Sequence, residues 1–362
     1  MKKRIFAAFC GAILALGLMG CEKPENPILE ETQESQAIQQ QENRRLFLEL
    51  DENNRIDAEI PALSRMELAV YHLSMPDLTP EQLFGVFLPE NSEGISRNSE
   101  CSPGTLTYKK DSGAELHIDP FYSQLSFTAD PEAAYSSGQE SETASLLYYY
   151  SQAHPQAPAK DLSFMTAVQM QETAKRIVTR LGVGYEPEIS CVVTLSGQEI
   201  LDFQHEMYQD PSYTEMGSPY HLTEAEDACY LEIVFSIDGS PIYRPGEQMV
   251  SFTDGVMPPC PVSASLFMTE EGIRHFNMMY ACTAEPAQVY KIISPEEAAQ
   301  TIKKKYEQQI HFGEIIFDTV YLEYMPVPKR DGYVLQPYWC FDSPDYAERI
   351  NAITGEDISY GG

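Results

Sequence analysis

Ser294-Pro295-Glu296-Glu297-Ala298-Ala299-Gln300-Thr301-Ile302 carries the local signals that open a helix. Ser294 is a capping residue. Pro295 sits at the first helical position, where its missing N–H costs nothing, and Glu297 is spaced to reach back to the cap. Ala299, Ile302, Tyr306 and Ile310 recur at three and four and form one apolar stripe. Strand patterns follow at 315–324, 333–341 and 349–353, the last running into the turn Thr354-Gly355-Glu356. A helix followed by strands with short connections predicts an α+β fold.

The same order occurs upstream. Ser163 is placed to cap a helix whose apolar residues Ala167, Met170, Ala174, Ile177 and Leu181 share a face, and Gly182 stands just past its end. Strand patterns at 189–195 and 229–237 lead into Asp238-Gly239-Ser240. The two stretches end alike, Phe235-Ser236-Ile237-Asp238-Gly239-Ser240-Pro241-Ile242 and Ile350-Asn351-Ala352-Ile353-Thr354-Gly355-Glu356-Asp357-Ile358. That likeness reads as an internal duplication. The alternative is two ordinary hairpins sharing turn chemistry, because glycine turns of this kind are common.

Nearer the N-terminus, strands are expected at 54–60 and 67–73, and Thr79-Pro80-Glu81-Gln82 opens a short helix that Pro89 ends. A hairpin is expected from 115–118 and 124–128. Residues 130–162, with Ser, Gly and Pro155 and Pro158, read as a boundary with a short helix or strand inside it. The resulting division is an N-terminal α+β unit over 46–150, a second unit over 163–245, and a third over 246–362.

Before these lies a leader. Lys2, Lys3 and Arg4 precede the uncharged, mostly apolar run from Ile5 to Met19. The run is shorter than the roughly 20 residues a membrane-crossing helix needs, which favours a secretory signal over 1–20. Leu18-Met19-Gly20-Cys21 resembles the lipobox of bacterial lipoproteins, although Met19 is an uncommon occupant of its slot. The resemblance implies cleavage before Cys21 and diacylation of that cysteine. Two acyl chains, at about 0.8 kcal/mol per buried CH₂, anchor a protein stably where one does not. Residues 21–45, rich in Glu, Gln, Asn and Pro, are expected to be a disordered acidic tether. The expected location is the extracytoplasmic face of the bacterial cell membrane, with the membrane as a partner through the Cys21 lipid.

The chain carries 24 basic and 55 acidic residues, a formal charge of −31. Such a balance opposes nucleic acid, whose phosphates require clustered Lys and Arg. The dense basic run Lys303-Lys304-Lys305 falls at the end of an expected helix, where it complements the dipole. With Cys10 in the leader and Cys21 lipidated, Cys101, Cys191, Cys229, Cys260, Cys282 and Cys340 remain. They permit three disulfides in any of 15 pairings, or buried thiols, since several sit inside apolar strand patterns.

Chemistry-bearing motifs were sought along the whole chain. The seven histidines, His72, His117, His154, His205, His221, His275 and His311, lack the i, i+4 spacing of a helical metal motif. His117 and Asp119 alternate with Leu116 and Ile118 as a solvated strand face would. Asp51-Glu52-Asn53-Asn54-Arg55-Ile56-Asp57 fails as a calcium loop, because Ile56 stands where Gly is needed and Ala62 where Glu is needed. No nucleophile elbow, phosphate loop or dinucleotide fingerprint occurs. The tyrosines of 146–150, with Tyr321 and Tyr324, either line a groove or pack a sheet; strand propensity favours the sheet. No metal and no cofactor is expected, and the chain reads as noncatalytic.

Ser294–Ala298 and Asn351–Glu356 resemble the PepSY-like modules of exported bacterial proteins, which open with a Ser-Pro-Glu-Glu-Ala helix and close with an Asn-Ala-x-Thr-Gly-Glu strand. Leu335-Gln336-Pro337-Tyr338-Trp339-Cys340-Phe341 is similar to a strand of the YycI- and YycH-type regulators that restrain a sensor kinase. The whole layout is similar to that of clostridial lipoproteins. The resemblance covers Lys291 to the C-terminus well, 163–243 weakly and the first unit hardly. It implies small antiparallel sheets, each with a helix packed on one face, as a repeated module, and binding or regulation in place of catalysis. The regulators it resembles keep a transmembrane helix where this chain has a lipid anchor, which puts direct kinase coupling in doubt. The expectation is a lipoprotein that binds an envelope protein or peptide, with a glycan- or peptide-acting enzyme or a solute-binding lipoprotein as the alternative.

Overall fold

A computed structural model describes residues 44–358 apart from 64, 89–93, 99–104, 121–122, 133, 135–138, 210–220, 245–259, 310–312 and 330–331. The leader, Cys21, almost all of the tether, Cys101 and His311 lie outside the described residues.

The chain begins with β1 (Arg44–Glu49), β2 (Arg55–Ile60) and β3 (Glu67–Ser74), then α1 (Pro80–Phe87). Four short strands follow, β4 (Ile95–Asn98), β5 (Leu106–Lys110), β6 (Glu115–Asp119) and β7 (Gln124–Thr128). Next come α2 (Gln139–Ala153), α3 (Ala167–Leu181), β8 (Glu186–Leu195), α4 (Gly197–Met207), β9 (Ala228–Ile237) and β10 (Ser240–Pro241). The remainder is β11 (Ser263–Thr269), β12 (Gly272–Met278), β13 (Thr283–Lys291), α5 (Pro295–Tyr306), β14 (Ile316–Lys329), β15 (Gly332–Asp342) and β16 (Ala347–Asn351). The fold is mixed α+β, mostly strand, in two sheets.

The first sheet has the order β1-β2-β14-β15-β3-β13, with β16 also on β15, and the second the order β10-β9-β11-β12-β7-β6-β5-β4, with β8 also on β9. At seven and nine strands they are larger than the small sheets expected. Nearly all pairs are antiparallel; β14 runs parallel to β2, with Ile316 beside Arg55 and Phe317 beside Ile56.

The division at 46–150, 163–245 and 246–362 does not follow these sheets. β2 and β3 pair with strands from the C-terminal third and β1 joins them through β2, whereas β4 to β7 join β9, β11 and β12. All described residues belong to one compact unit. The reason is edge chemistry: short strands of adjacent sequence leave unpaired N–H and C=O rows, and closing those rows takes strands from far along the chain.

Four of the five helices among the described residues open with a capping box: Thr79 with Gln82, Thr166 with Gln169, Ser196 with Glu199 and Ser294 with Glu297. Ser163, the expected cap of α3, instead hydrogen-bonds Asp227 at 3.1 Å, and the helix starts behind Thr166. Gly182 ends α3 at φ 69°, a left-handed conformation that glycine adopts without a Cβ clash. The stretch expected as a boundary holds the 15-residue helix α2, because Leu146 and Leu147 are fully buried against α4 and β8. Its tyrosines therefore reach the second sheet from a helix: Tyr148 meets Tyr230 edge-on at 6.2 Å and Tyr150 meets Phe203 at 5.1 Å.

Helices α1 and α3 cover one face of the second sheet, and α2 and α4 the other. That double cover explains why β9, Ala228-Cys229-Tyr230-Leu231-Glu232-Ile233-Val234-Phe235-Ser236-Ile237, is nearly continuously apolar where a half-exposed strand alternates. Helix α5 packs on the first sheet over Trp339, Phe341, Phe317 and Ile350. Trp339 is fully buried, and its indole N–H donates to the Ile293 carbonyl at 2.9 Å, which satisfies its polar atom.

The Glu199 carboxylate caps α4 and meets Lys160 Nζ at 2.7 Å. The Lys160 hydrogen bond, with the Ser196 backbone, holds its pKa down at about 2. A carboxyl group whose folded pKa is depressed contributes stability that is present above its unfolded value and lost as pH falls through the folded one. The melting temperature of Glu199→Gln should therefore lie below wild type near neutral pH, and the gap should close as pH falls from about 4.5 toward about 2. A gap independent of pH across that window would assign the loss to packing.

Candidate functional site

Cys191, Cys229, Cys260, Cys282 and Cys340 are all free thiols. Burial raises each of their pKa values, Cys282 to about 11, so near neutral pH they rest as protonated, weakly nucleophilic groups. His117 sits half-buried between Thr107 Oγ1 at 3.0 Å and Glu115 at 3.3 Å, in place of the solvated face expected for it. Among the described residues no three His, Cys, Asp or Glu converge on a metal geometry.

Three places concentrate polar chemistry. The first is a buried ion cluster on the first sheet, on the face opposite α5. Strand register puts Tyr321 opposite Cys340, and Cys340 opposite Arg349, with Glu323 two residues along β14. Arg349 and Glu323 are fully buried. Arg349 Nε lies 3.2 Å from Glu323 Oε1, and its Nη atoms donate to Asp342 and, at 3.3 Å, to the Tyr321 hydroxyl. Tyr321 in turn donates to Asp342 at 2.7 Å, and Cys340 Sγ donates to Glu323 Oε1 at 3.0 Å. Glu323 Oε2 has no hydrogen-bond partner.

This cluster suits registration more than reaction. One guanidinium ties β14, β15 and β16 together, and a shift of one residue would point Arg349 to the opposite face, at α5. Sequence spacing could not assemble it, since its members come from three strands.

The second place is a cleft of about 450 Å³ under the N-terminus of α2, bounded by β11 and β12. Arg274 lies in its wall, with Nε donating to Glu140 at 2.7 Å, Nη1 to Glu271 at 2.5 Å, and Asp130 at 3.9 Å. His275, on the next position of β12, faces Glu140 Oε2 at 3.2 Å and stacks on Phe267. Glu224 and Glu226 complete the opposite wall. Five carboxylates around one arginine leave the cleft acidic, suited to a ligand that is cationic or rich in hydroxyl donors.

The third is the pair of outer strands of the first sheet, β1 and β13, whose outer sides pair with no strand among the described residues. In β13, residues Glu285 to Val289 are exposed in succession, and Val289 is 59 % exposed. Ile292 N–H donates to the Met66 carbonyl at 3.0 Å. Antiparallel ladders alternate, so Tyr290 and Gln288 face β3 and Val289 and Lys291 turn their N–H and C=O outward. Pro286 and a bulge end this stretch, which limits how much chain can add there.

No family model and no curated protein matches the chain. Among solved structures it is similar to an uncharacterized protein from Eubacterium rectale, 14 % identical, with a TM-score of 0.49 over 88 % of this chain and 94 % of that one.

The register cluster makes a quantitative prediction. Arg349→Met strands Glu323 as an unpaired buried charge and should cost about 3–5 kcal/mol in urea unfolding. Adding Glu323→Leu should recover much of that loss. A double variant no more stable than the single one would show that the arginine acts through packing alone.

Proposed function

We propose that this chain is a lipoprotein lipidated at Cys21 and held on the extracytoplasmic face of the cell membrane, where it binds an envelope protein or peptide without catalysis. The leader and lipobox-like residues support the anchor, and the open edge at β13 supports the binding mode. An extended segment added beside Val289 would take main-chain hydrogen bonds from the outward groups and specificity from alternate side chains. The single observation that carries this reading is the outward-facing backbone row of β13 beside the exposed Val289.

The helix-then-hairpin order of α5, β14 and β15, matched in part by α3, β8 and β9, supports a repeated PepSY-like module. In this reading one copy belongs to each sheet, with α4 inserted in the first copy.

The test places a photo-crosslinking residue at Val289 in cells, with Val168 on α3, also exposed, as the control position. A discrete adduct at position 289 is expected, absent at 168 and lost when Lys291→Pro removes the neighbouring outward N–H. Equal adducts at both positions, or persistence with Lys291→Pro, would sink the edge. Cys21→Ser should release the chain from the membrane fraction; retention of the variant there would exclude the lipid anchor.

One observation favours a second reading, a glycan- or peptide-acting enzyme or solute-binding lipoprotein: the 450 Å³ cleft falls within the usual range for ligand pockets. Chitooligosaccharides and basic dipeptides should then raise the melting temperature of wild type, and less so that of Glu224→Gln/Glu226→Gln. No shift with either ligand class would dismiss it.

A further inference from the structure

We propose that β1 is a self-complementary edge through which two copies of this chain pair, β1 adding antiparallel to β1 about a two-fold axis at Phe47. This interface is separate from the partner edge at β13 and does not depend on it.

The backbone supplies the first argument. Leu50 N–H donates to the Asn54 carbonyl at 2.9 Å, and the register continues through Leu48 with Ile56 and Leu46 with Ala58. By the alternation of an antiparallel ladder, Leu48, Leu46 and Arg44 spend their N–H and C=O on β2, and Arg45, Phe47 and Glu49 turn theirs outward. Among the described residues no strand pairs with that outer side. The row has no proline and no bulge, unlike β13. Natural sheets usually blunt such an edge.

Side chains supply the second. Arg45, Phe47 and Glu49 share the face away from α5, and all three are exposed, Phe47 at 58 %. Inverting the strand about Phe47 sets Arg45 against the other copy's Glu49, Phe47 against its own equivalent, and Glu49 against Arg45. Aromatic and opposite-charge pairs are the favourable cross-strand combinations. On the other face the same inversion sets Leu46 against Leu48, extending the apolar row over α5. A sequence that reads the same in charge and polarity from both directions is what an isologous contact requires. Arg45 already meets Asp57 at 2.6 Å and keeps that contact within its own copy, and Glu49 has no ion-pair partner among the described residues.

The occupant follows from charge. The chain carries −31, so two copies repel at long range, and a contact between copies must be compensated locally. The β1 edge meets that condition with two Arg–Glu pairs. One added strand pair is a small contact beside the roughly 800 Å² per partner of a standard interface, so the dimer is expected to be weak, with a Kd of about 1 μM or higher.

The experiment is sedimentation velocity of the full chain over a concentration series, with wild type, Arg45→Glu and Glu49→Arg, each alone and the two variants mixed. Wild type should pass from monomer to dimer. Each single variant sets like charges against each other across the axis and should remain monomeric at least about tenfold higher in concentration. The equimolar mixture should dimerise like wild type, since the acidic edge of the Arg45→Glu chain fits the basic edge of the Glu49→Arg chain. A structural defect in either variant could not produce that rescue. Wild type remaining monomeric to about millimolar, single variants dimerising as wild type does, or a mixture that stays monomeric would each overturn the proposal.

Discussion

The architecture hangs on a splice between the two ends of the described chain. Asn54, 2 % exposed, sits in the turn between β1 and β2 and accepts the Ile315 N–H on its side-chain oxygen at 2.8 Å. Arg55 N–H donates to the Ile315 carbonyl at 3.0 Å in the opposite sense. Asp51 orients the asparagine, taking its Nδ2 at 2.7 Å and its backbone N–H at 2.9 Å. These bonds start β14 alongside β2 in the parallel sense, and everything that β14 subsequently pairs with inherits its register from them.

β14 then builds the first sheet. It pairs along eleven positions with β15, which takes up β16 on one stretch and β3 on another. The fully buried Arg349–Glu323 pair forms at this junction, where neither charge is compensated until all three strands are in register. Ion pairs of this kind add little net stability, and their main effect is to penalise misregistered alternatives. The second sheet is tied to the first through the β9–β10 turn. Arg65 reaches Asp238 at 2.8 Å, the Tyr71 hydroxyl donates to the same carboxylate, and Tyr243 N–H donates to the Tyr324 carbonyl at 2.9 Å. Asp238 itself is held at φ 56°, a conformation that costs an L-residue energy and that these contacts sustain.

A body arranged in this way presents two kinds of surface. The helices close both faces of the second sheet and leave one acidic cleft where α2 starts. Among the described residues the first sheet keeps two outer edges, one interrupted by a proline and a bulge at β13 and one regular at β1. For a chain of high negative charge the edges matter more than the charge: main-chain hydrogen bonds are indifferent to net charge, and specificity then comes from the few side chains beside them.

Local signals in the sequence determined the local structure. The Thr79 and Ser294 capping boxes, the Gly182 stop, the 115–128 hairpin and the α5 helix are legible because their causes lie within a few residues, whereas α3 is capped by Thr166 in place of the expected Ser163. α4 carries the same kind of signal, Ser196 with Glu199, but the strand pattern directly before it hides it. What the sequence could not decide were contacts between residues far apart. The sheets draw on strands separated by some 260 positions, so boundaries drawn from composition cut across them. Asp51 and Asn54 stand in a stretch whose local pattern shows only that it fails as a calcium loop, and their role as the splice for β14 is hidden because the partner lies at Ile315. Nothing local joins Arg349, Glu323 and Asp342, and only tertiary pairing, by removing water from Arg349 and Glu323 together beside Asp342, turns them into one cluster.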